Sequence, residues 1–239
     1  MRRSSGLSDE AVGITVGLFV TVFVFFVVYN YFYNKKRKEV VSKYCQQNGI
    51  IYTETAESIM GCDEKFDMIM RGKSQSLDHI MSGTRNDYEF QIFDFYYTLE
   101  KPDPRFPLNT YNEEIGETIC FIRKKGKSFP HFYMLEKDVL ASDVNFLPKI
   151  EGIKDIEYPL EDEFATLVVK SVNEEEMRNF FNSQRIDSLN RCFKDIPVSD
   201  FGNIYEGKGD CLLAAKLSIL SVKERLELLD NALKVFEAL

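Results

Sequence analysis

The sequence contains few of the residues from which catalytic and metal sites are usually built. It has no tryptophan and only two histidines among 239 residues. His79 and His131 each lie in an apolar, strand-like segment, and neither has a histidine or cysteine at a metal-ligand spacing. From local motifs we therefore predict no catalytic residue, no cofactor and no metal ion.

Nucleotide-binding and hydrolase motifs are absent as well. No G-x-S-x-G sequence occurs. Residues 202–208 match the phosphate-loop pattern G-x-x-x-x-G-K, but Gly209 stands where a serine or threonine would bind Mg²⁺. The segment that follows, DCLLAAKLSI, is typical of a strand, whereas a phosphate loop leads into a helix. These differences exclude a nucleotide-binding loop.

Paired cysteines are also missing. The five cysteines are odd in number and widely spaced, and no C-x-x-C sequence occurs. A domain in an oxidising compartment more often carries paired cysteines. The pattern therefore indicates reduced thiols in a cytoplasmic domain.

What the sequence has instead is a long uncharged segment near its start. Its first 19 residues, Ala11–Tyr29, would form a helix roughly 28 Å long, close to the ~30 Å thickness of a bilayer core. A cleaved signal peptide is the alternative, but its apolar region is shorter and ends in small residues. This segment ends in aromatic residues up to Tyr33, which are typical of the membrane boundary. We predict an uncleaved transmembrane helix over residues 11–33, in contact with the lipid bilayer.

The basic residues around this segment predict its orientation. Lys35, Lys36, Arg37 and Lys38 follow it directly, whereas the preceding tail has only Arg2 and Arg3. Positive charge is retained on the cytoplasmic side of a membrane. We therefore expect a single-pass protein of the cell (inner) membrane with its N-terminus outside and its large C-terminal part in the cytoplasm. The same four residues are candidates for contact with anionic lipid headgroups.

A G-x-x-x-G spacing occurs in the apolar segment, at Gly13 and Gly17. Such a spacing allows two helix backbones to approach closely, so these glycines are candidate helix-packing residues for self-association or for a larger complex. The spacing also arises often by chance.

The charge of the chain is divided unevenly. Residues 1–43 contain seven basic and three acidic side chains, a net charge of +4; because the whole chain has −8, residues 44–239 carry −12. Nucleic acid and anionic lipid repel so acidic a domain. We therefore predict no nucleic-acid binding.

The patterning after the basic segment predicts an α+β domain of mostly antiparallel strands. Strand-like runs occur at residues 50–53, 78–100, 117–123, 131–135 and 165–171. Hairpin turns are expected at residues 86–87 and 207–210. Helices are expected to begin at Asn173 and Ser221, each with a glutamate three residues later, as in a capping box. The broad apolar face of the last helix indicates packing against the sheet, or alternatively a partner.

These features divide the chain into four predicted segments. They are an N-terminal tail at 1–10, a transmembrane helix at 11–33, a basic juxtamembrane helix at 34–48 and a cytoplasmic α+β domain at 49–239.

A proline-containing link at residues 100–116 is the predicted partner-contact loop. It contains Phe106, Leu108 and Tyr111 between two expected strands. Long structured loops often carry binding functions, although a loop that folds back onto the core is an equal alternative.

Two residues are candidates for chemistry. Asp94 shares one strand face with aromatic side chains, where an unpaired carboxylate would have a raised pKa; pairing with an arginine or lysine is the alternative. Cys120 with His131 could form a nucleophile pair, but a buried thiol is the simpler interpretation.

Several segments resemble a widespread family of bacterial membrane-anchored proteins without an assigned activity. They include the apolar segment with its basic flank, IFDFYYT, ICFIR, FPHFYMLEKD, DIEYP, LVVKSVNEEEMRNFF and NIYEGKGDCLLAA, followed by the closing helix. The resemblance covers roughly residues 50–239 and implies membrane anchoring. It implies no site residues.

Three functional hypotheses follow. The favoured one is a membrane-tethered, non-catalytic binding or scaffolding module with a protein partner. The others are a membrane-tethered enzyme that uses Asp94 or Cys120, and an accessory subunit of a larger membrane complex.

Overall fold

A computed structural model of the chain describes residues 9–58, 66–103, 105–106, 109–136, 152–159, 166–194, 196 and 203–239. The chain divides into two compact units, Met1–Lys43 and Tyr44–Leu239.

A single long helix, α1 (Asp9–Gln47), contains both the apolar segment and the basic residues that follow it. Within it, Thr15–Gln47 is long and apolar enough to cross a membrane, and its most apolar window is fully exposed. By length and composition such a helix is either a membrane anchor or a signal sequence. Gly49 follows the helix with a φ of +65°, a left-handed conformation that favours glycine and ends helices.

The second unit is built on one large sheet. In the described part of the chain, nine strands are joined in the order β1-β2-β3-β4-β9-β8-β5-β7-β6, and every neighbouring pair is antiparallel. The strands are β1 (Ile51–Ala56), β2 (Lys73–Arg85), β3 (Tyr88–Pro102), β4 (Thr110–Arg123), β5 (Phe129–Glu136), β6 (Lys154–Pro159), β7 (Thr166–Ser171), β8 (Asn203–Gly209) and β9 (Cys211–Lys216). With the helices that follow, this arrangement confirms the predicted α+β class.

Both predicted hairpin turns are present. Asn86 and Asp87 join β2 to β3 with φ values of +49° and +66°, the left-handed pair that a two-residue hairpin turn requires. Gly209, with a φ of +59°, leads through Asp210 from β8 into β9.

Three further helices are described, α2 (Glu174–Phe180), α3 (Ser183–Lys194) and α4 (Val222–Ala238). The predicted caps form: the Asn173 side chain accepts a hydrogen bond from the Glu176 N–H, and Ser221 and Glu224 form a reciprocal capping box. The single helix expected after Asn173 is instead two helices. The chain restarts at Asn182, whose side chain accepts from the Arg185 N–H at 3.0 Å and so begins α3.

Two elements differ from their predicted extent. Strand β6 (Lys154–Pro159) forms where the sequence pattern predicts no strand. The link at 100–116 is shorter than expected, because β3 continues to Pro102 and β4 begins at Thr110.

The central strands are buried on both faces. Helix α4 packs on β4 and β9, and its Phe236 makes edge-on ring contacts with Tyr88 and Phe129. The apolar stripe of α4 is therefore used inside the domain, as predicted. A short 3₁₀ turn (Asp67–Ile69) lies on the opposite face. Its Met68 and the preceding Phe66 join a cluster that includes Phe93 and other inward residues of β2, β3, β4, β8 and β9.

Asp94 links the sheet to α4. Its carboxylate lies 2.6 Å from the Arg225 guanidinium, and both side chains are fully buried. Arg225 also donates to the backbone carbonyls of His79 (2.8 Å) and Leu220 (3.3 Å). Asp94 accepts a hydrogen bond from Thr118 at 3.1 Å. The carboxylate is thus paired inside the core.

Removing one member of this pair leaves a buried charge without its partner. We expect Asp94→Ala to lower the free energy of unfolding by about 3–5 kcal/mol, measured by denaturant unfolding of the full chain in detergent. Asp230→Ala is the matched control, since Asp230 pairs with Arg85 at 2.5 Å while both side chains remain about half exposed. It should cost less than about 1 kcal/mol. Equal losses in the two variants would contradict the structural role of the buried pair.

Candidate functional site

The β3–β4 hairpin extends beyond its neighbours in the sheet. Thr98 is the last residue of β3 that pairs with β2, and Thr118 is the first residue of β4 that pairs with β9. The two strands nevertheless remain paired with each other as far as Pro102 and Thr110. Within residues 99–113, the described residues therefore form a two-stranded arm, which we call the β3–β4 arm.

The tip of the arm is closed by local hydrogen bonds. The Asp103 N–H donates to the Asn109 carbonyl and the Asn109 N–H to the Phe106 carbonyl, both at 2.8 Å. The Asp103 side chain accepts from the Arg105 N–H at 2.8 Å, as in an Asx turn. These bonds link the described residues at the tip, Asp103, Arg105, Phe106 and Asn109.

The arm presents aromatic side chains among acidic ones. Phe106 is 59% exposed and Tyr111 is 43% exposed, so the alternative in which they fold back onto the core does not hold. Leu108 lies outside the described residues. Residues 99–113 contain three acidic and two basic side chains, a net charge of −1. The arm therefore combines exposed apolar area with a small negative charge.

A buried ionic network anchors the arm at its base. Glu117 is fully buried, pairs with the Arg71 guanidinium at 2.5 Å and accepts a hydrogen bond from the Tyr97 hydroxyl at 2.7 Å. Arg71 also donates from Nε to the Met68 carbonyl at 2.7 Å. Burial raises the pKa of Tyr97 well above its ordinary value, so the hydroxyl stays protonated and continues to donate.

The sequence patterns do not lead to a prediction of this network of Arg71, Glu117 and Tyr97. Glu117 alternates with Ile119 and Phe121 along β4, so the strand period was a usable signal that its side chain points inward. Arg71 lies outside the regular elements and 46 residues from Glu117, and no local pattern indicates the pair.

The other predicted site residues lie in α1. Gly17 has open space where a side chain would project, as helix packing would require; the helix-packing role of Gly13 and Gly17 stays a prediction. Lys35, Lys36, Arg37 and Lys38 lie together in the same helix. Their contact with lipid likewise stays a prediction.

The two candidates for chemistry both lie in closed core. Cys120 is fully buried, like Asp94, and burial raises the pKa of its thiol well above the ordinary value. A cleft of about 320 Å³ beside α4 is lined by residues that include Asn203, Lys216 and Glu224, but by neither candidate. The hypothesis of an active site at Asp94 or Cys120 is therefore wrong.

One cluster of potential metal ligands does form. The ligand atoms of Asp67, His131 and Glu206 all lie within 4.8 Å of one another. They come from the 3₁₀ turn, β5 and β8, which are far apart in the chain. This separation is the reason that the search for local ligand spacings did not find them.

Comparison with known proteins identifies a similar fold. No protein-family model matches the chain, and no curated protein matches it. Among solved structures, it is similar to the crystal structure of the mycobacterial trehalose monomycolate transport factor A, TtfA. The TM-score is 0.56 at 11% sequence identity, over 84% of this chain and 93% of that one. At this identity the likeness shows the fold alone. Membership of the family of bacterial membrane-anchored proteins stays a prediction.

The base of the arm can be tested with a pair of tyrosine variants. Tyr97→Phe removes the hydroxyl that donates to the buried Glu117 carboxylate and should lower the free energy of unfolding by about 1.5–3 kcal/mol. Tyr111→Phe removes the hydroxyl of an exposed tyrosine on the same hairpin. It should change the free energy of unfolding by less than about 0.5 kcal/mol. Denaturant unfolding of both variants provides the measurement. An unchanged stability for Tyr97→Phe would mean that the network does not stabilise the arm.

Proposed function

We propose that this chain is a single-pass protein of the cell membrane whose cytoplasmic domain is a non-catalytic binding module. The β3–β4 arm is its docking surface, and its partner is a membrane protein with basic cytoplasmic loops. The observation that carries the proposal is the exposure of Phe106 and Tyr111 on a hairpin that extends beyond the sheet.

The form of α1 supports an anchor over a cleaved signal. The helix spans 39 residues and continues without a break from the apolar segment through the basic residues. The aromatic residues at the end of the apolar segment are exposed, and Phe25, Tyr29 and Tyr33 stack in succession along one side. Such side chains are suited to the membrane boundary.

Charge and cysteine chemistry support the cytoplasmic placement. The basic residues lie between the apolar segment and the domain, the arrangement expected when the domain is cytoplasmic. Four cysteines in the described residues are free thiols, Cys45, Cys120, Cys192 and Cys211. Free thiols are typical of a reducing compartment.

The charge of the domain indicates the kind of partner. The arm carries a small negative charge on a domain of net charge −12, and anionic lipid and nucleic acid repel such a surface. The cytoplasmic loops of membrane proteins are rich in lysine and arginine, so they complement the arm in charge. Phe106 and Tyr111 would supply the apolar contact that such an interface needs.

The structural neighbour favours one form of this function. Its name describes a transport factor. We accordingly favour an accessory role beside a membrane transport protein, in which Gly13 and Gly17 would be available for packing between helices.

The orientation can be tested with introduced cysteines. Ser5 belongs to the N-terminal tail, and Lys125 is exposed in the turn between β4 and β5. The variants Ser5→Cys and Lys125→Cys introduce one thiol at each position. In spheroplasts, a maleimide that cannot cross the membrane should label Ser5→Cys and leave Lys125→Cys unlabelled, whereas both should react after detergent lysis. The unsubstituted chain gives the background from native thiols. Labelling of Lys125→Cys in intact spheroplasts would place the domain outside and contradict the proposal.

The docking surface can be tested by photo-crosslinking in cells. A photoreactive residue at position 106 should give a specific adduct with a membrane protein, through a loop rich in lysine and arginine that mass spectrometry identifies. The same probe at Val172, which is 58% exposed, should not give that adduct. Tyr111→Ala should reduce the adduct at least severalfold. Identical adducts at positions 106 and 172, or none at either, would overturn the arm as the docking surface.

A further inference from the structure

The geometry points to a metal site: we propose that Asp67, His131 and Glu206 bind one divalent ion, Zn²⁺ or one of its first-row neighbours. The site is separate from the β3–β4 arm and from the proposed partner.

Irregular strand pairing brings the three side chains together. The register of β5 against β8 shifts between Phe129 and Phe132, so His131 lies in a bulge. A bulge re-aims the side chain that it carries. Tyr133 then pairs with Glu206 across the strands, while the 3₁₀ turn places Asp67 over the same face.

The distances match those of ligands that share one metal ion. His131 Nε2 is hydrogen-bonded to Glu206 Oε1 at 3.0 Å and lies 3.6 Å from Asp67 Oδ2, so a bound ion would replace this hydrogen bond. Ligand atoms bound to one Zn²⁺ at about 2.0–2.2 Å are themselves separated by roughly 3.0–3.6 Å. An ion could therefore be accommodated with little movement of the side chains.

Hydrogen bonds from neighbouring groups hold the cluster in place. The Met68 N–H donates to Glu206 Oε2 at 2.9 Å, and the Asp67 N–H donates to Oε1 at 2.8 Å, which has a second lone pair. The Tyr133 hydroxyl donates to Asp67 Oδ2. The Ser171 hydroxyl donates to the His131 carbonyl at 3.0 Å and steadies the bulge. Supporting bonds of this kind orient the ligands of metal sites.

The local charge favours a cation. Glu206 is fully buried, and in the described part of the chain His131 is the only basic side chain in an ion pair with either Glu206 or Asp67. Two carboxylates meet a single imidazole here, and a divalent ion would balance the charge of both carboxylates.

Access and chemistry indicate the class of ion. The side chains of Asp67 and His131 are each about one-third exposed, at 33% and 32%, which leaves an entry path and room for water ligands. One imidazole with two carboxylates suits Zn²⁺ and its first-row neighbours, while Mg²⁺ and Ca²⁺ prefer oxygen ligands alone.

Binding can be measured on the full chain in detergent after treatment with a chelator. Titration with Zn²⁺ against a chelating indicator should show one equivalent bound, at least tenfold more tightly than Mg²⁺ or Ca²⁺. His131→Gln should weaken Zn²⁺ binding roughly a hundredfold. His79→Gln is the matched control, because His79 also lies at a bulge of the sheet but its ring is hydrogen-bonded to Tyr52, away from Asp67 and Glu206. It should bind Zn²⁺ like the unsubstituted chain.

A second variant and a spectrum separate a true site from unfolding or thiol binding. Asp67→Asn changes a partly exposed ligand, keeps an acceptor for Tyr133 and should also weaken Zn²⁺ binding at least tenfold. Bound Co²⁺ should show no thiolate-to-metal charge-transfer band, because no cysteine is a ligand. Zn²⁺ should raise the midpoint of thermal unfolding of the unsubstituted chain but not of His131→Gln. Equal Zn²⁺ affinity in the unsubstituted chain, His131→Gln and Asp67→Asn would overturn the proposal.

Discussion

Both faces of the sheet are covered, so a carboxylate buried on it needs a charged or hydrogen-bonding partner from the element that packs over it. This requirement organises the domain. Asp94 pairs with Arg225 of α4, and Glu117 pairs with Arg71. Glu206 accepts hydrogen bonds from the backbone N–H groups of Asp67 and Met68 in the 3₁₀ turn. All three acids are fully buried. Because sliding any covering element would leave a buried charge without its partner, these contacts specify how each element packs on the sheet, beyond what apolar burial alone determines.

The segment at residues 66–71 links the two regions of greatest functional interest. Through Arg71 it contacts Glu117 at the base of the β3–β4 arm. Through the backbone of Asp67 and Met68 it contacts Glu206 in the cluster with His131. Phe66 and Met68 of the same segment are fully buried in the apolar cluster of that face. The segment is thus held by hydrogen bonds to two buried carboxylates and by apolar packing, so the base of the arm and the His131 cluster share one support.

The features that could be predicted from the sequence depend on residues close together in the chain. Asn86 and Asp87 tolerate positive φ, and Ser221 and Glu224 satisfy each other's backbone groups within one turn of helix. By contrast, β6 is a short, largely polar strand that pairs with β7 at the edge of the described sheet, so its sequence carries little strand signal. The length of the β3–β4 arm was also missed, because its prolines predict a link while cross-strand pairing continues the strands beyond Glu100.

The sequence by itself determined the apolar helix, the basic residues after it, the acidic character of the domain and its α+β class, since each follows from composition or from periodicity along a few residues. Only the tertiary structure decided that Asp94 is neutralised by Arg225, that Phe106 projects on an extended arm and that His131 lies against Asp67 and Glu206. The partners in these contacts are up to 139 residues apart in the chain. Their proximity depends on strand order and register, which are set by the packing of the whole sheet and not by any local pattern.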